Sequence, residues 1–141
     1  MLKVGFIGLG TMGFPIAGHI SQSYETAVFN RTINKSQKWT SEFKGEVCES
    51  IKDLALKSNV IFLCLSEDKD IEEVVLGGDG ILEHLNEETI VVDHSTTSVD
   101  TATLISNELL KKDSIFLDAP VSGGEVGAQK GTLSVLSLIH I

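Results

Sequence analysis

Leu2-Lys3-Val4-Gly5-Phe6-Ile7 runs directly into Gly8-Leu9-Gly10-Thr11-Met12-Gly13, and this junction decides the fold. The leading stretch is apolar and suited to a strand, and the glycines then break it. From Thr11 to Ser21, Met12, Ile16 and Ile20 recur at helical spacing. A G-x-G-x-x-G turn between a strand and a helix is the context in which that spacing binds phosphate. Gly8 permits a tight turn, Gly10 lets the backbone approach a pyrophosphate, and Gly13 lets the helix pack close to the strand. The amides of the first helical turn point at the phosphates, and the helix dipole favours their charge. Gly8, Leu9, Gly10, Thr11, Met12 and Gly13 are therefore expected to bind the cofactor's phosphates. A glycine-rich turn in some other α/β protein would be the bland alternative.

Outward from this junction, strands and helices alternate. Strands are expected at Thr26–Asn30, Asn59–Leu65, Thr89–Asp93 and Ser114–Leu117, with at most a short one at Val47–Cys48. Helices are expected from Asn34, as cap, to Phe43, and over Ser50–Lys57, where Ser50 and Asp53 form a capping-box variant. Further helices are expected over Asp68–Leu76, stopped by Gly77-Gly78, and over Ser98–Lys111, capped by Ser98, with a helical turn at Ile81–Leu85. The strands are continuous apolar runs, as in a parallel sheet covered on both faces. The expected fold is Rossmann-like: a doubly wound, mainly parallel α/β sheet with its ligand at the carboxyl ends of the strands.

Bulk properties narrow the function. The chain has 141 residues, enough for one domain. Its net charge of −9 argues against a nucleic-acid surface. The longest apolar run, Val60 to Leu65, is far short of a membrane span. Cys48 and Cys64 have no zinc-ligand spacing and read as reduced thiols of a cytoplasmic protein; no metal site is expected.

The end of the second strand discriminates between cofactors. NAD-binding chains carry an acidic residue there, about 20 residues past the glycines, for the ribose 2′-hydroxyl. This chain has Asn30, followed by Arg31 and Thr32. A guanidinium can bind a 2′-phosphate through forked, charge-assisted hydrogen bonds, and Asn30 and Thr32 can add others. The expected cofactor is therefore NADP, with NAD second. An ordinary polar turn with a solvent-facing Arg31 is the alternative.

Together these residues resemble the β-hydroxyacid dehydrogenases, which include 3-hydroxyisobutyrate dehydrogenase, tartronate semialdehyde reductase and glyoxylate/succinic semialdehyde reductase. More distantly the chain resembles 6-phosphogluconate dehydrogenase. The likeness runs from Lys3 to about Val135. It rests on Gly5 to Gly13 with Pro15 and Ala17, and on Asp118-Ala119-Pro120-Val121-Ser122-Gly123-Gly124, continued by Gly127-Ala128 and Gly131-Thr132-Leu133. Asn30-Arg31-Thr32 looks like the NADP-using semialdehyde reductases. The resemblance implies that Ser122, Gly123 and Gly124 hold a substrate carboxylate, where a hydroxyl and backbone amides can form an anion nest. It implies that Thr96 lies beside the nicotinamide, although by composition alone Thr96 reads as a helix cap. It implies that Leu65 and Ser66 border the cofactor; the family usually has Pro where this chain has Ser66. His94 reads as structural.

The family's catalytic lysine has no counterpart here. That lysine lies on a helix beyond the nucleotide domain, so the expected organisation is a nucleotide domain over 1–135 with the helical second domain absent. The full-length parent is expected to be a homo-oligomer that moves a hydride between the nicotinamide and a small hydroxy acid or semialdehyde acid. Leu136 to Ile141 is expected to be non-native, because CTG TCT CTT ATA CAC ATC, a transposon end used in sequencing libraries, encodes it. The rival functions are a non-catalytic NAD(P)-binding module, against which Asp118 to Gly124 speaks, and a 6-phosphogluconate-type enzyme, whose added basic residues are not seen.

Overall fold

A computed structural model describes residues 2–136 and the backbone of 138–139. Of the expected non-native tail, residues 137, 140 and 141 lie outside the described residues. The first strand, β1 (Lys3–Ile7), leads through the glycine turn into α1 (Gly13–Ser21). β2 (Glu25–Phe29), α2 (Ile33–Glu42), β3 (Glu46–Val47), α3 (Ile51–Lys57) and β4 (Val60–Leu63) follow. Then come α4 (Asp68–Leu76), a 3₁₀ turn (Ile81–His84), β5 (Ile90–Asp93), α5 (Val99–Leu110) and β6 (Ile115–Asp118).

The sheet order is β3-β2-β1-β4-β5-β6, all parallel, with β9 (Leu138–Ile139) added antiparallel on β6. The chain winds outward from β1 in one direction and then returns to wind from β4 in the other. β1 and β4 therefore lie side by side while the connections leaving them diverge. This switch point opens a crevice at the carboxyl ends of the strands. The fold is the Rossmann-like one expected.

Side chains alternate across the sheet, so each strand feeds two cores. Ile7, Ile61, Leu63, Val91 and Phe116 pack on one face against Leu54 of α3, Ile71 of α4 and Ile105 of α5. Phe6 and Val28 pack on the other against Ala17 of α1 and Trp39 of α2. Trp39 is fully buried, and its indole N–H donates to the Phe14 carbonyl at 3.2 Å, which removes the penalty of burying that donor.

Several local expectations hold with their reasons. The Ser50 hydroxyl accepts from the Asp53 amide at 3.1 Å and starts α3; the Ser98 hydroxyl accepts from the Thr101 amide at 3.2 Å and starts α5. Gly77 follows the last residue of α4. Others need correction. Asn34 is not a cap: the cap position is Thr32, two residues earlier, whose backbone is extended and whose side chain makes no cap bond. β4 is not wholly buried either, since Val60 and Phe62 are only half-buried. The Phe62 ring stacks between Phe6 (6.0 Å) and His94 (5.5 Å).

After β6, Ser134–Val135 (β8) pairs antiparallel with Val121–Ser122 (β7) in a separate two-stranded ladder. Between them lies α6 (Gly124–Lys130), which carries no strong sequence signal because two of its residues are glycines. Tertiary contact makes it a helix. Gly127 and Ala128 are buried, and His19 of α1 donates to the Ala128 and Gln129 carbonyls, 3.0 Å each, in the last turn of the helix.

Candidate functional site

An open cleft of about 690 Å³ lies at the switch point. Its floor is the end of β1 and the start of the glycine turn, Ile7, Gly8 and Gly10. One wall is the end of β2 and its loop: Phe29, Asn30, Arg31 and Thr32, with Lys35 of α2. The opposite wall is Cys64, Leu65 and Ser66 after β4, then Asp70, Glu73 and Val74 of α4.

The three motif glycines have three different surroundings. Gly8 has φ +101°, and a Cβ there would lie 2.2 Å from the Cys64 carbonyl oxygen. A Cβ on Gly13 would lie 1.9 Å from the Gly8 carbonyl oxygen, so α1 sits directly on the end of β1. A Cβ on Gly10 would meet nothing within 4 Å. Two glycines are required by the protein's own packing, whereas the space at Gly10 is left open toward the cleft. The Gly8 amide donates to Phe29 O (3.1 Å) and the Leu9 amide to Asn30 Oδ1 (2.9 Å). Among the described residues, no backbone bond is donated by the amides of Gly10, Thr11 or Met12. Unengaged amides at a helix start, beside open space, fit a pyrophosphate.

The Asn30 side chain on the cleft wall is engaged within the chain. Its Oδ1 holds the Leu9 amide and its Nδ2 donates to the Thr32 carbonyl at 3.1 Å. The side chain therefore ties the glycine turn to the loop after β2 rather than reaching outward. Arg31 and Thr32 are exposed in that loop. The Arg31 guanidinium pairs with Asp70 across the cleft at 3.1 Å.

Thr96, Ser122, Gly123 and Gly124 lie away from this cleft. Thr96 is exposed after β5 and caps no helix, since Ser98 caps α5. Ser122, Gly123 and Gly124 are exposed after β6, and both glycines have positive φ. Leu9 and Thr11 face a second opening of about 540 Å³ on the other side of the turn, with Gly10 shared between the two. His94 is structural, as expected: Nδ1 donates to the Ala119 carbonyl at 2.8 Å.

Residues that the sequence reading did not single out hold the site together. Asp93, at the end of β5, is fully buried. It accepts from the Ser95 amide (2.9 Å) and from the Thr97 hydroxyl. Ser95 Oγ in turn accepts from the Leu65 amide at 2.8 Å. One carboxylate thus anchors the loop after β5, and through Ser95 the loop after β4. Burial pushes the Asp93 carboxyl above its ordinary range, against the pull of its hydrogen bonds, and Asp118 adds to the rise. The repeated hydroxyls of Asp93-His94-Ser95-Thr96-Thr97 were the available signal. Burial, with help from Asp93, raises the Cys64 thiol to about 11, so it stays protonated and unreactive at neutral pH. Among the described residues there is no group of three or more acidic, His or Cys side chains that could hold a metal, and no helix long and apolar enough to cross a membrane.

Comparison with known proteins agrees with this geometry. Residues 3–137 match the family described as the NAD binding domain of 6-phosphogluconate dehydrogenase. An uncharacterized oxidoreductase of Shewanella frigidimarina is 43% identical over 96% of this chain and 47% of its own length. Among solved structures, Psf3 in complex with NADP+ and 2-OPP superposes with a TM-score of 0.89 at 31% identity, over 95% of this chain and 48% of that one. Mycobacterium tuberculosis 3-hydroxyisobutyrate dehydrogenase with L-serine superposes with a TM-score of 0.88 at 25% identity, over 97% and 46%. The chain spans about half the length of the curated relatives it matches. It belongs to the family of the NAD binding domain of 6-phosphogluconate dehydrogenase.

Proposed function

We propose that this chain is the cofactor-binding part of an NADP-preferring oxidoreductase that acts on a small hydroxy acid or semialdehyde acid. The observation that carries the cofactor preference is the end of β2. The strand end carries the neutral Asn30 in place of an acidic residue, and Arg31 with Thr32 is exposed on the cleft wall. That a relative of 31% identity was solved with NADP+ supports the same reading.

In this proposal the amides of Gly10, Thr11 and Met12 hold the pyrophosphate. Arg31 and Thr32 hold the 2′-phosphate, with Lys35 adding charge. Asn30 acts indirectly, by fixing the loop that presents Arg31. Leu65, Ser66 and Thr96 border the nicotinamide end. Ser122 Oγ and the amides of Gly123 and Gly124 grip the substrate carboxylate. When bound, the nicotinamide supplies the hydride chemistry, and the protein orients both reactants. No residue described here is assigned the proton transfer. A cytoplasmic location and a homo-oligomeric assembly complete the proposal.

The test is calorimetric titration with NADP and NAD. NADP should bind at least tenfold more tightly, as expected when one charge-assisted contact distinguishes the ligands. Equal affinities would overturn the preference. For the substrate, Ser122→Ala in the complete enzyme should lower kcat/KM and leave cofactor affinity unchanged. An unaltered kcat/KM would remove Ser122 from the carboxylate site.

A further inference from the structure

Two walls of the cleft carry opposite charge. Arg31 and Lys35 stand on the side of α2, and Asp70 and Glu73 on the side of α4. Between them Arg31 Nη2 approaches Asp70 Oδ1 to 3.1 Å. The partners are unequally placed: the Arg31 side chain is 80% exposed and the Asp70 side chain only 17%. Asp70 is seated on its helix, and Arg31 reaches across to meet it. The group best placed to receive a 2′-phosphate is thus already paired with a carboxylate of this chain.

We propose that Asp70 is a specificity-determining residue that opposes NADP and keeps the preference over NAD smaller than Arg31 alone would make it. This rests on the assignment of Arg31 to the 2′-phosphate. A phosphate monoester brings a charge of about −2. To reach Arg31 it must either displace Asp70, breaking the pair, or share the guanidinium with it and set like charges side by side. NAD brings only a 2′-hydroxyl, which leaves the pair intact and which a carboxylate can accept a hydrogen bond from. The same carboxylate therefore disfavours one cofactor and tolerates or helps the other. Its place on α4, remote in sequence from the loop after β2, hides it from any reading of the strand-end motif.

The experiment uses this chain with Asp70→Asn, Arg31→Ala and both changes, each checked for folding by circular dichroism. NADP, NAD, 2′,5′-ADP and 5′-AMP are titrated, so that the last two isolate the adenosine end. Asp70→Asn should tighten NADP and 2′,5′-ADP roughly three- to tenfold, the scale of an exposed charge pair with an added like-charge repulsion. NAD and 5′-AMP should change less than twofold or weaken. In the Arg31→Ala background the gain should shrink, because no guanidinium remains to be freed. A gain undiminished there would overturn the pair as the device. NADP binding unchanged or weakened by Asp70→Asn, with Arg31→Ala still selective against NADP, would overturn the inference and leave the Arg31 assignment standing. Equal losses of both cofactors in Arg31→Ala would overturn the assignment and the inference together.

Discussion

The two ends of the cleft are built by different means. At the glycine turn the backbone makes the site: Gly8 and Gly13 are held by contacts within about 2 Å of where a side chain would begin, and loose amides are offered at Gly10 to Met12. At the ribose end side chains make it, and Arg31 is largely exposed with its partner on another helix. The backbone of this site is fixed by the packing of β1, α1 and β4, so a side chain added at Gly8 or Gly13 costs stability. A side-chain site can be retuned without disturbing the fold. Cofactor choice is therefore expected to reside at the ribose end and phosphate binding at the turn.

The sharpest way to break this contrast is to make one chemical change at two positions of the turn. Gly8→Ala forces a side chain into φ +101° and against the Cys64 carbonyl. It should destabilise the chain by about 3–5 kcal/mol, from strain and overpacking together, as read by urea denaturation. Gly10→Ala should change stability by less than about 1 kcal/mol, since its Cβ enters open space. A similar loss at both positions would mean that the turn is not pinned as described.

A larger side chain at the open position should act on the ligand instead. Gly10→Val should leave the denaturation midpoint nearly unchanged and weaken both cofactors by on the order of 100-fold, because the branched side chain occupies the pyrophosphate's space. Unchanged affinity in the folded variant would move the phosphate site elsewhere. At the other end, Arg31→Ala should weaken NADP by about 1.5–3 kcal/mol and leave NAD nearly unaltered. That asymmetry would sharpen the division between a general phosphate site and a selective ribose site.

The smallest expected effect concerns the cleft wall that follows β4. The Cys64 thiol is raised from 9.0 to about 11 in the folded chain. The folded state therefore holds its proton more tightly than the unfolded chain does. This contribution is fully present below pH 9 and is lost as pH rises through about 11. After allowance for partial exposure it amounts to about 1–2 kcal/mol. Stability measured across this range should fall less steeply in Cys64→Ala than in the parent chain. Equal slopes would show that the thiol is not buried as described.

What the amino-acid sequence determined by itself was local. Continuous apolar runs marked the parallel strands, Ser50 and Ser98 marked helix starts, and the glycine spacing between strand and helix marked the phosphate turn, because each signal lies within a few residues of its effect. The neutral end of β2 was visible for the same reason. Only the tertiary structure decided the rest. The helix after Gly123 forms because His19 and the face of α1 stabilise a glycine-containing segment that has little helical tendency of its own. Asn30 turns inward because its acceptor meets the Leu9 amide, a residue from another part of the chain. Asp93 and Ser95 brace two loops that are separate in sequence, and Asp70 confronts Arg31 across a cleft formed only when β1 and β4 become neighbours. These contacts depend on the sheet order, and no short stretch of residues contains that order.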